Sequence, residues 1–490
     1  MTMPLAVRNL AVLLVATVAC LPAQRARRGA AAGERSPNIV LMLADDQAWD
    51  GLGVAMHPGD TIRASDPLVD TPRIAALAAA GLRFTQAYAP APVCAPTRIA
   101  IQTGLDPATL HWTKAAKSVA ANANTRLLPP TNIRAIPAEH DTIGELLQRA
   151  GYRTAHFGKW HLNGGGPEDH GYDVSDGNLG NEAAARFEPP NPVDLVGMVD
   201  RARDFMADAV EREQPFYVQL SWHALHAPEN ASPELRAKYG ARLGRDEDDK
   251  AVGRAALTED LDGAVGRVLE TLEELGLTAN TYVFYTSDNG GGGGGGSGRG
   301  GRRDRVTSLR GGKGSLHEAG IRVPLIVRGP GIPAGGFCDV PVTGLDFLPT
   351  FLTWAGAAPS IPEHVAGGSL AALVENPTPD DRDAPAVTRR HPGLLFHFPH
   401  YQGPEGPHAA LRHGDLKLVR YFENDRIALF DLAADPGETR DLAQDRPEDA
   451  ERLARALDAR LRAADAQLPR PNPDHDPSLP STPRERRRRR

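Results

Sequence analysis

The sequence predicts an α/β fold: a large mixed, mostly parallel sheet sandwiched by helices, with a smaller C-terminal α+β subdomain. Three observations carry this. Short uninterrupted apolar runs such as Ile39-Val40-Leu41-Met42-Leu43 mark strands buried on both faces, as parallel sheets require. These runs alternate with amphipathic stretches that open on Pro and close on Gly, the punctuation of intervening helices. From about Pro377 the chain changes character, to Pro/Asp-rich linking residues and shorter strand-like runs. At 490 residues it can bury the large core such a fold needs.

Composition narrows the class. Charged residues make up 24% of the chain and the formal net charge is −7, the balance of an ordinary globular protein and not of a general nucleic-acid binder. The closing Arg486–Arg490 run reads as part of a disordered tail, 469–490. At the other end Arg8, the apolar run Leu10 to Cys20 and small residues around Ala23 read as a secretory signal peptide, 1–24, followed by a linker, 25–36. The apolar run is too short for a stable membrane span. Thr17-Val18-Ala19-Cys20 resembles a lipoprotein cleavage box with threonine in place of leucine, so lipid anchoring is the minority reading. Cys20 leaves with the signal, and a disulfide between the remaining Cys94 and Cys338 is the alternative to a chemically special Cys94.

Within the large domain, expected over 37–376, the first strand ends in Ala44-Asp45-Asp46. Open parallel sheets bind ligands beyond the carboxyl ends of their strands, which makes Asp45 and Asp46 metal-ligand candidates. A plain turn or cap is the alternative. Thr71 to Gly81 is a helix with Pro72 at its first position. In Pro92-Val93-Cys94-Ala95-Pro96-Thr97-Arg98, Pro96 suits the first position of a helix, with Cys94 just ahead of it and Arg98 one turn inside. Free N–H groups, the helix dipole and the guanidinium favour an anion there, so Cys94 is placed as a nucleophile beside an anion site.

A helix from Asp141 to Gly151 leads into a strand, Tyr152 to Phe157, and then Gly158-Lys159-Trp160-His161-Leu162, where Lys159 and His161 alternate and share a side. Pro215 to Trp222 is the next strand, finishing in His223-Ala224-Leu225-His226-Ala227-Pro228. A helix capped by Thr258 and stopped by Gly276 carries Leu261, Val265, Val268, Leu272 and Leu275 on one face. Thr281 to Thr286 is a strand ending in Ser287-Asp288-Asn289-Gly290, a second pair of oxygen ligands opposing Asp45 and Asp46. A mixed Asp/Asn set points to a hard divalent ion, calcium before zinc, with magnesium the alternative. The Gly-rich stretch 290–301 lacks the Lys-Ser/Thr of a phosphate loop and reads as a surface loop bordering this site.

Leu325-Ile326-Val327 continues as strand and Asp346 to Thr350 opens another helix. In the subdomain, 377–468, Asp415 to Tyr421 and Leu429 to Leu432 are strands, and Glu448 to about Ala466 is a closing helix. His391, His397, Phe398, His400 and Tyr401 form a His/aromatic cluster suited either to stacking on a sugar or to packing at a subdomain junction.

Cys94-x-Pro96-x-Arg98 with Thr103-Gly104, Gly158-Lys159-Trp160-His161-Leu162 and the stretch from Gly311-Gly312-Lys313-Gly314 to Glu318-Ala319-Gly320 together resemble the type I sulfatases of the alkaline-phosphatase-like superfamily. The resemblance runs from about Pro37 to Leu442. Thr97 and Ala319 stand where the family more often has Ser or Ala and Gly. The resemblance implies that a maturation enzyme, a formylglycine-generating or anaerobic sulfatase-maturating enzyme, oxidises Cys94 to formylglycine (3-oxoalanine). It implies that the modified residue joins Asp45, Asp46, Asp288 and Asn289 around the ion. It assigns Arg98, Lys159, His161, His226 and Lys313 to sulfate binding and proton transfer, leaving His223 as a packing residue. A sulfated glycan is the expected substrate. A phosphodiester or phosphonate monoester hydrolase, and a noncatalytic glycan-binding relative, are the alternatives.

Overall fold

The computed structural model describes residues 36–59, 62–115, 123–186, 192–291, 309–377, 387–402 and 405–479. The expected signal peptide, Cys20, most of the Gly-rich stretch and the closing arginines lie outside the described residues.

Eight strands form the main sheet: β1 (Asn38–Ala44), β2 (Leu82–Phe84), β3 (Arg153–Gly158), β4 (Val174–Ser175), β5 (Phe216–Ser221), β6 (Thr281–Ser287), β7 (Leu325–Arg328) and β8 (Gly336–Cys338). Their order is β8-β2-β7-β6-β1-β5-β3-β4, and only the two pairings made by β7 are antiparallel. Strand periodicity splits the apolar run of β1 between two cores. Val40, Met42 and Ala44 join one, and Ile39, Leu41 and Leu43 the other. The first core is closed by α1 (Pro72–Ala79), α4 (Leu195–Glu211) and α5 (Lys250–Glu274); the second by α2 (Cys94–Thr103), α3 (Ile143–Arg149) and α6 (Phe347–Trp354). Burial on both faces explains why these strands read as continuous apolar runs.

Helix boundaries show where local signals were outweighed. The α3 capping box is formed as its sequence suggests: Thr142 accepts from Glu145 N–H while the Glu145 carboxylate accepts from Thr142 N–H. The helix expected to start at Thr258 starts instead at Lys250, where the Asp249 carboxylate accepts from Ala251 N–H at 2.8 Å. Thr258 lies mid-helix and donates its hydroxyl to Arg254 O at 2.8 Å, the other bond open to such a side chain. From the same helix, Asp262 caps α1, accepting from Arg73 and Ile74 N–H at 3.0 and 2.7 Å.

The smaller subdomain is an antiparallel sheet of β9 (Leu394–Phe398), β10 (His408–His413), β11 (Leu416–Tyr421) and β12 (Arg426–Asp431), backed by α7 (Pro447–Ala463). Leu453, Leu457 and Leu461 recur every fourth residue and pack on Leu411, Leu418 and Leu429. The opposite face, with Phe396, Val419 and Phe430, packs on Tyr88, Val93, Leu316 and Ile321. The tail corrects one expectation. Arg470–Pro471 pairs antiparallel with Leu127–Leu128, and Asn472 bonds Arg126 O and Thr125 O at 2.9 and 2.7 Å, so order continues past 469.

Where the two sheets meet, a fully buried ion cluster ties the subdomain to the segment carrying Lys313. Lys417 Nζ of β11 lies 2.9 Å from Glu318 Oε1 and 3.1 Å from Glu438 Oε1. Glu438 also accepts from Glu318 N–H at 2.7 Å, and His408 of β10 accepts from Leu316 N–H at 2.9 Å. Burial alone would push the Glu438 carboxyl up; Lys417 and His317 outweigh it and hold it at about 2. Lys417→Met would leave Glu318 and Glu438 buried without that counterion. We expect a loss of about 3–5 kcal/mol in denaturant unfolding.

Candidate active site

Strand register brings the site together. Ala44 of β1 is paired with Ser287 of β6, so Asp45-Asp46 and Asp288-Asn289 leave the sheet side by side. Leu43 and Gly158 are both level with Ser221 of β5, so Lys159 and the His223–His226 segment emerge on the same edge. These four strands are neighbours at the centre of the sheet. The crossover bonds Lys159 N–H to Ser221 O (2.7 Å), Asp288 N–H to Ala44 O (3.0 Å) and Asp45 N–H to Ala224 O (2.8 Å) fix the turns.

Cys94 is buried at the first position of α2, so the helix begins two residues earlier than Pro96 suggests. Proline fits at the third position because first-turn N–H groups have no partner inside the helix. Thr97, the variable motif position, donates to Ala91 O at 3.0 Å and accepts from Ala91 N–H at 3.2 Å, tying down the loop before Cys94. Cys94 Sγ lies 3.4 Å from Asp45 Oδ1 and 3.2 Å from Lys313 Nζ. Burial, then Asp288 and Asp45, push its thiol up to about 12. Cys338 is also a free thiol, which removes the disulfide alternative.

Three carboxylates face three permanent cations. Arg98 places Nε and Nη2 at 2.9 and 2.7 Å from Asp288 Oδ2, and donates Nη1 to Lys159 O at 2.6 Å. Lys159, fully buried, pairs with Asp45; Lys313 pairs with Asp46 Oδ1 at 2.6 Å. Burial would raise the Asp45 carboxyl, but Lys159, Lys313 and Arg98 hold it well below the usual range. His161 Nδ1 is buried without a partner, and burial, then Lys159 and Arg98, hold its ring neutral at about 2. His226 is half-buried and donates Nδ1–H to Ala227 O at 2.7 Å, which leaves Nε2 as its working nitrogen. His223 is buried, with Nε2 3.1 Å from Gly180 O and Nδ1 without a partner.

The donor set fits a metal ion. One ligand atom from each of Asp45, Asp46, Cys94 and Asp288 lies within 4.8 Å of the others. Asn289 donates its Nδ2 to Asp46 Oδ1 at 2.7 Å, and its Oδ1 is buried with no hydrogen-bond donor. An orphaned amide oxygen beside three carboxylates is what a hard cation would satisfy.

The chain has known relatives. The family model described as Sulfatase matches residues 37–357. The chain belongs to the sulfatase family. A second model, N-sulphoglucosamine sulphohydrolase, C-terminal, matches 312–467 and spans the four-stranded sheet and α7. Human arylsulfatase A is 30% identical over 443 residues, covering 82% of this chain and 78% of that protein. Rat N-acetylgalactosamine-6-sulfatase is 30% identical over 378 residues, covering 70% of this chain and 66% of that protein. A structure solved in complex with its substrate, D-glucosamine-2-N,6-O-disulfate, is similar in fold, with a TM-score of 0.65 at 20% identity over 88% of this chain and 98% of that one. This sulfatase is therefore a sulfuric ester hydrolase, of a family that uses a metal and formylglycine.

In this sulfatase the sequence-predicted residues Asp45, Asp46, Cys94, Arg98, Lys159, Asp288, Asn289 and Lys313 are joined by direct contacts, and His161 and His226 lie within electrostatic reach of Asp45. The His/aromatic cluster divides. His397 is buried against Gln467 O at 3.0 Å, Phe398 is core, and Tyr401 bonds Leu127 N–H and Glu423, the contacts of a subdomain junction. In Glu318-Ala319-Gly320 the second glycine of the motif is the demanded one: a Cβ on Gly320 would lie 2.0 Å from Ser315 O. The Lys417–Glu318–Glu438 cluster was missed, because nothing local marks Lys417 as buried.

Proposed function

We propose that the substrate is a sulfate ester of a carbohydrate and that Cys94, converted to formylglycine, carries the nucleophile. The observation behind this is the position of Cys94: buried at a helix start, between Lys313 and Asp45, inside the ligand group. The sugar comes from the relatives, whose names or bound substrates are sulfated amino sugars. Asp45, Asp46, Asp288, Asn289 and the modified Cys94 would hold the ion, calcium by its all-oxygen set, with magnesium second. When bound, the ion would supply positive charge that favours the ionised nucleophile and offsets the negative charge of the sulfate.

The chain's own residues account for the rest of the cycle. Water adds to the aldehyde to give hydrated formylglycine; one of its hydroxyls, ionised by loss of its proton to water, attacks sulfur in line with the ester oxygen, and the S–O bond to the sugar breaks. Arg98, Lys159 and Lys313 bind the sulfate and absorb the developing charge. His226, through Nε2, or Lys313 delivers a proton to the departing alcohol. His161, held neutral, then takes the proton of the second hydroxyl; the C–O bond to sulfate breaks, the aldehyde reforms and inorganic sulfate leaves. A thiol would form an adduct with no such exit.

Export by the N-terminal leader and maturation by a dedicated oxidising enzyme complete the reading. Among the described residues no helix is long and apolar enough to cross a membrane. The discriminating assay sets an aryl sulfate beside an aryl phosphodiester, using matured protein stripped by chelation and reloaded with calcium or magnesium. We expect sulfate release to dominate and calcium to restore it best. Faster phosphodiester cleavage would replace this reading with the phosphodiesterase one.

A further inference from the structure

A further buried cation, Lys114, lies outside the site described above. Lys114 is 6% exposed, and among the described residues its ammonium has neither an ion-pair nor a hydrogen-bond partner. Burial alone pushes its pKa down, the direction expected of a charge without a counterion.

Lys114 is linked to the reacting centre through adjacent residues. Gly314, next to Lys313, donates its N–H to Pro92 O at 2.9 Å and sits so close to Gln402 that an added Cβ would lie 3.0 Å from its Cγ. Gln402 N–H donates to His400 O at 3.2 Å, and His400 Nε2 is 2.8 Å from Thr113 Oγ1. The Thr113 hydroxyl donates to Asn132 Oδ1 at 3.1 Å, so it must accept from His400 Nε2–H. That leaves His400 Nδ1 as a bare acceptor, in a ring kept neutral at about 3 by burial and then by the Lys114 charge. His400 Nδ1 and Asn132 Nδ2 are both buried without partners. A cation, an acceptor and a donor are therefore unsatisfied together. That set complements an anionic group flanked by hydroxyls.

We propose that Lys114, with His400 and Asn132, forms a second anion subsite beside the sulfate pocket, which reads a carboxylate or a further sulfate on the sugar bearing the scissile ester or on its neighbour. The proposal rests on the sulfatase reading above and names the substrate more closely: a polyanionic glycan.

Calorimetry on the Cys94→Ala protein, which binds without turnover, tests it. The probes are inorganic sulfate, D-glucosamine-2-N,6-O-disulfate for a second sulfate, and the chondroitin 6-sulfate disaccharide for a carboxylate. At least one sugar should bind about tenfold or more tighter than inorganic sulfate. Lys114→Gln should remove that advantage and Lys114→Arg, which keeps the charge, should retain it. Because the readout is a ratio between ligands, a general loss of folded protein cancels. No advantage in the parent, an advantage that survives Lys114→Gln, or one lost equally in Lys114→Arg would each overturn the subsite. The sulfatase reading itself stands or falls separately, on sulfate release from an aryl sulfate by matured enzyme.

Discussion

Cys94→Ala should lower sulfate release by about 10⁴-fold or more, with little loss of stability, when both proteins are made alongside the maturation enzyme. The side chain has weak contacts to lose: among the described residues its Sγ is held by Asp45 at 3.4 Å and Lys313 at 3.2 Å. A buried sulfur is small, so unfolding should shift by no more than about 1 kcal/mol. Cys94→Ser tests the same point more finely. A serine hydroxyl retains size and polarity yet has no route to release a bound sulfate, so a single turnover followed by arrest is the expected course. Residual steady turnover within tenfold of the parent in either variant would place the nucleophile elsewhere.

Asp288→Asn should have the largest effect on stability within the site. The Asp288 carboxylate takes two donors of Arg98, and both side chains are buried. Neutralising it leaves the guanidinium facing Asp45 at 3.7 Å as its remaining counterion in the cluster. Removing one member of a buried pair costs about 3–5 kcal/mol, much of it the burden of the stranded charge. The denaturation midpoint should fall accordingly, and calorimetric binding of the proposed calcium ion should weaken, since the same carboxylate belongs to the proposed ligand group. Unchanged stability would mean that Arg98 is held chiefly by its bond to Lys159 O.

The parts of the fold that were legible in sequence are those where a local pattern and the tertiary demand agree. The apolar runs of β1, β5 and β6 are strands because both faces are covered, and each ends where its polar residues begin. Asp45, Asp46, Asp288 and Asn289 stood out as candidates because each pair follows a strand's carboxyl end, and Cys94 and Arg98 because they sit at a helix start, whereas Lys159, His161, His226 and Lys313 were marked by the family resemblance. Register was not legible: nothing local says that Ala44 stands opposite Ser287, yet that pairing is what brings Asp45 and Asp288 into one cluster. Thr258 misled because threonine satisfies its hydroxyl equally well as a cap or within a helix. Pro96 misled by two residues because the whole first turn tolerates proline. The tail beyond 469 looked disordered from composition, but its backbone found partners at 125–128, some 340 residues earlier in the chain. Lys417 and Lys114 carry no local sign of burial, since lysines are solvated by default and only long-range packing covers them.

Turnover by this mechanism depends on the chemical state of one side chain, that of Cys94. Trypsin cleavage after Arg83 and Arg98 would release the peptide Phe84–Arg98, which contains Cys94 and no other cysteine. Its intact mass, measured on protein made with the maturation enzyme, should be that of the peptide in which the thiol carbon has become an aldehyde, and the aldehyde should react with a hydrazide. A peptide that keeps the full cysteine mass under those conditions, from protein that nonetheless releases sulfate at undiminished rate, would contradict the formylglycine nucleophile.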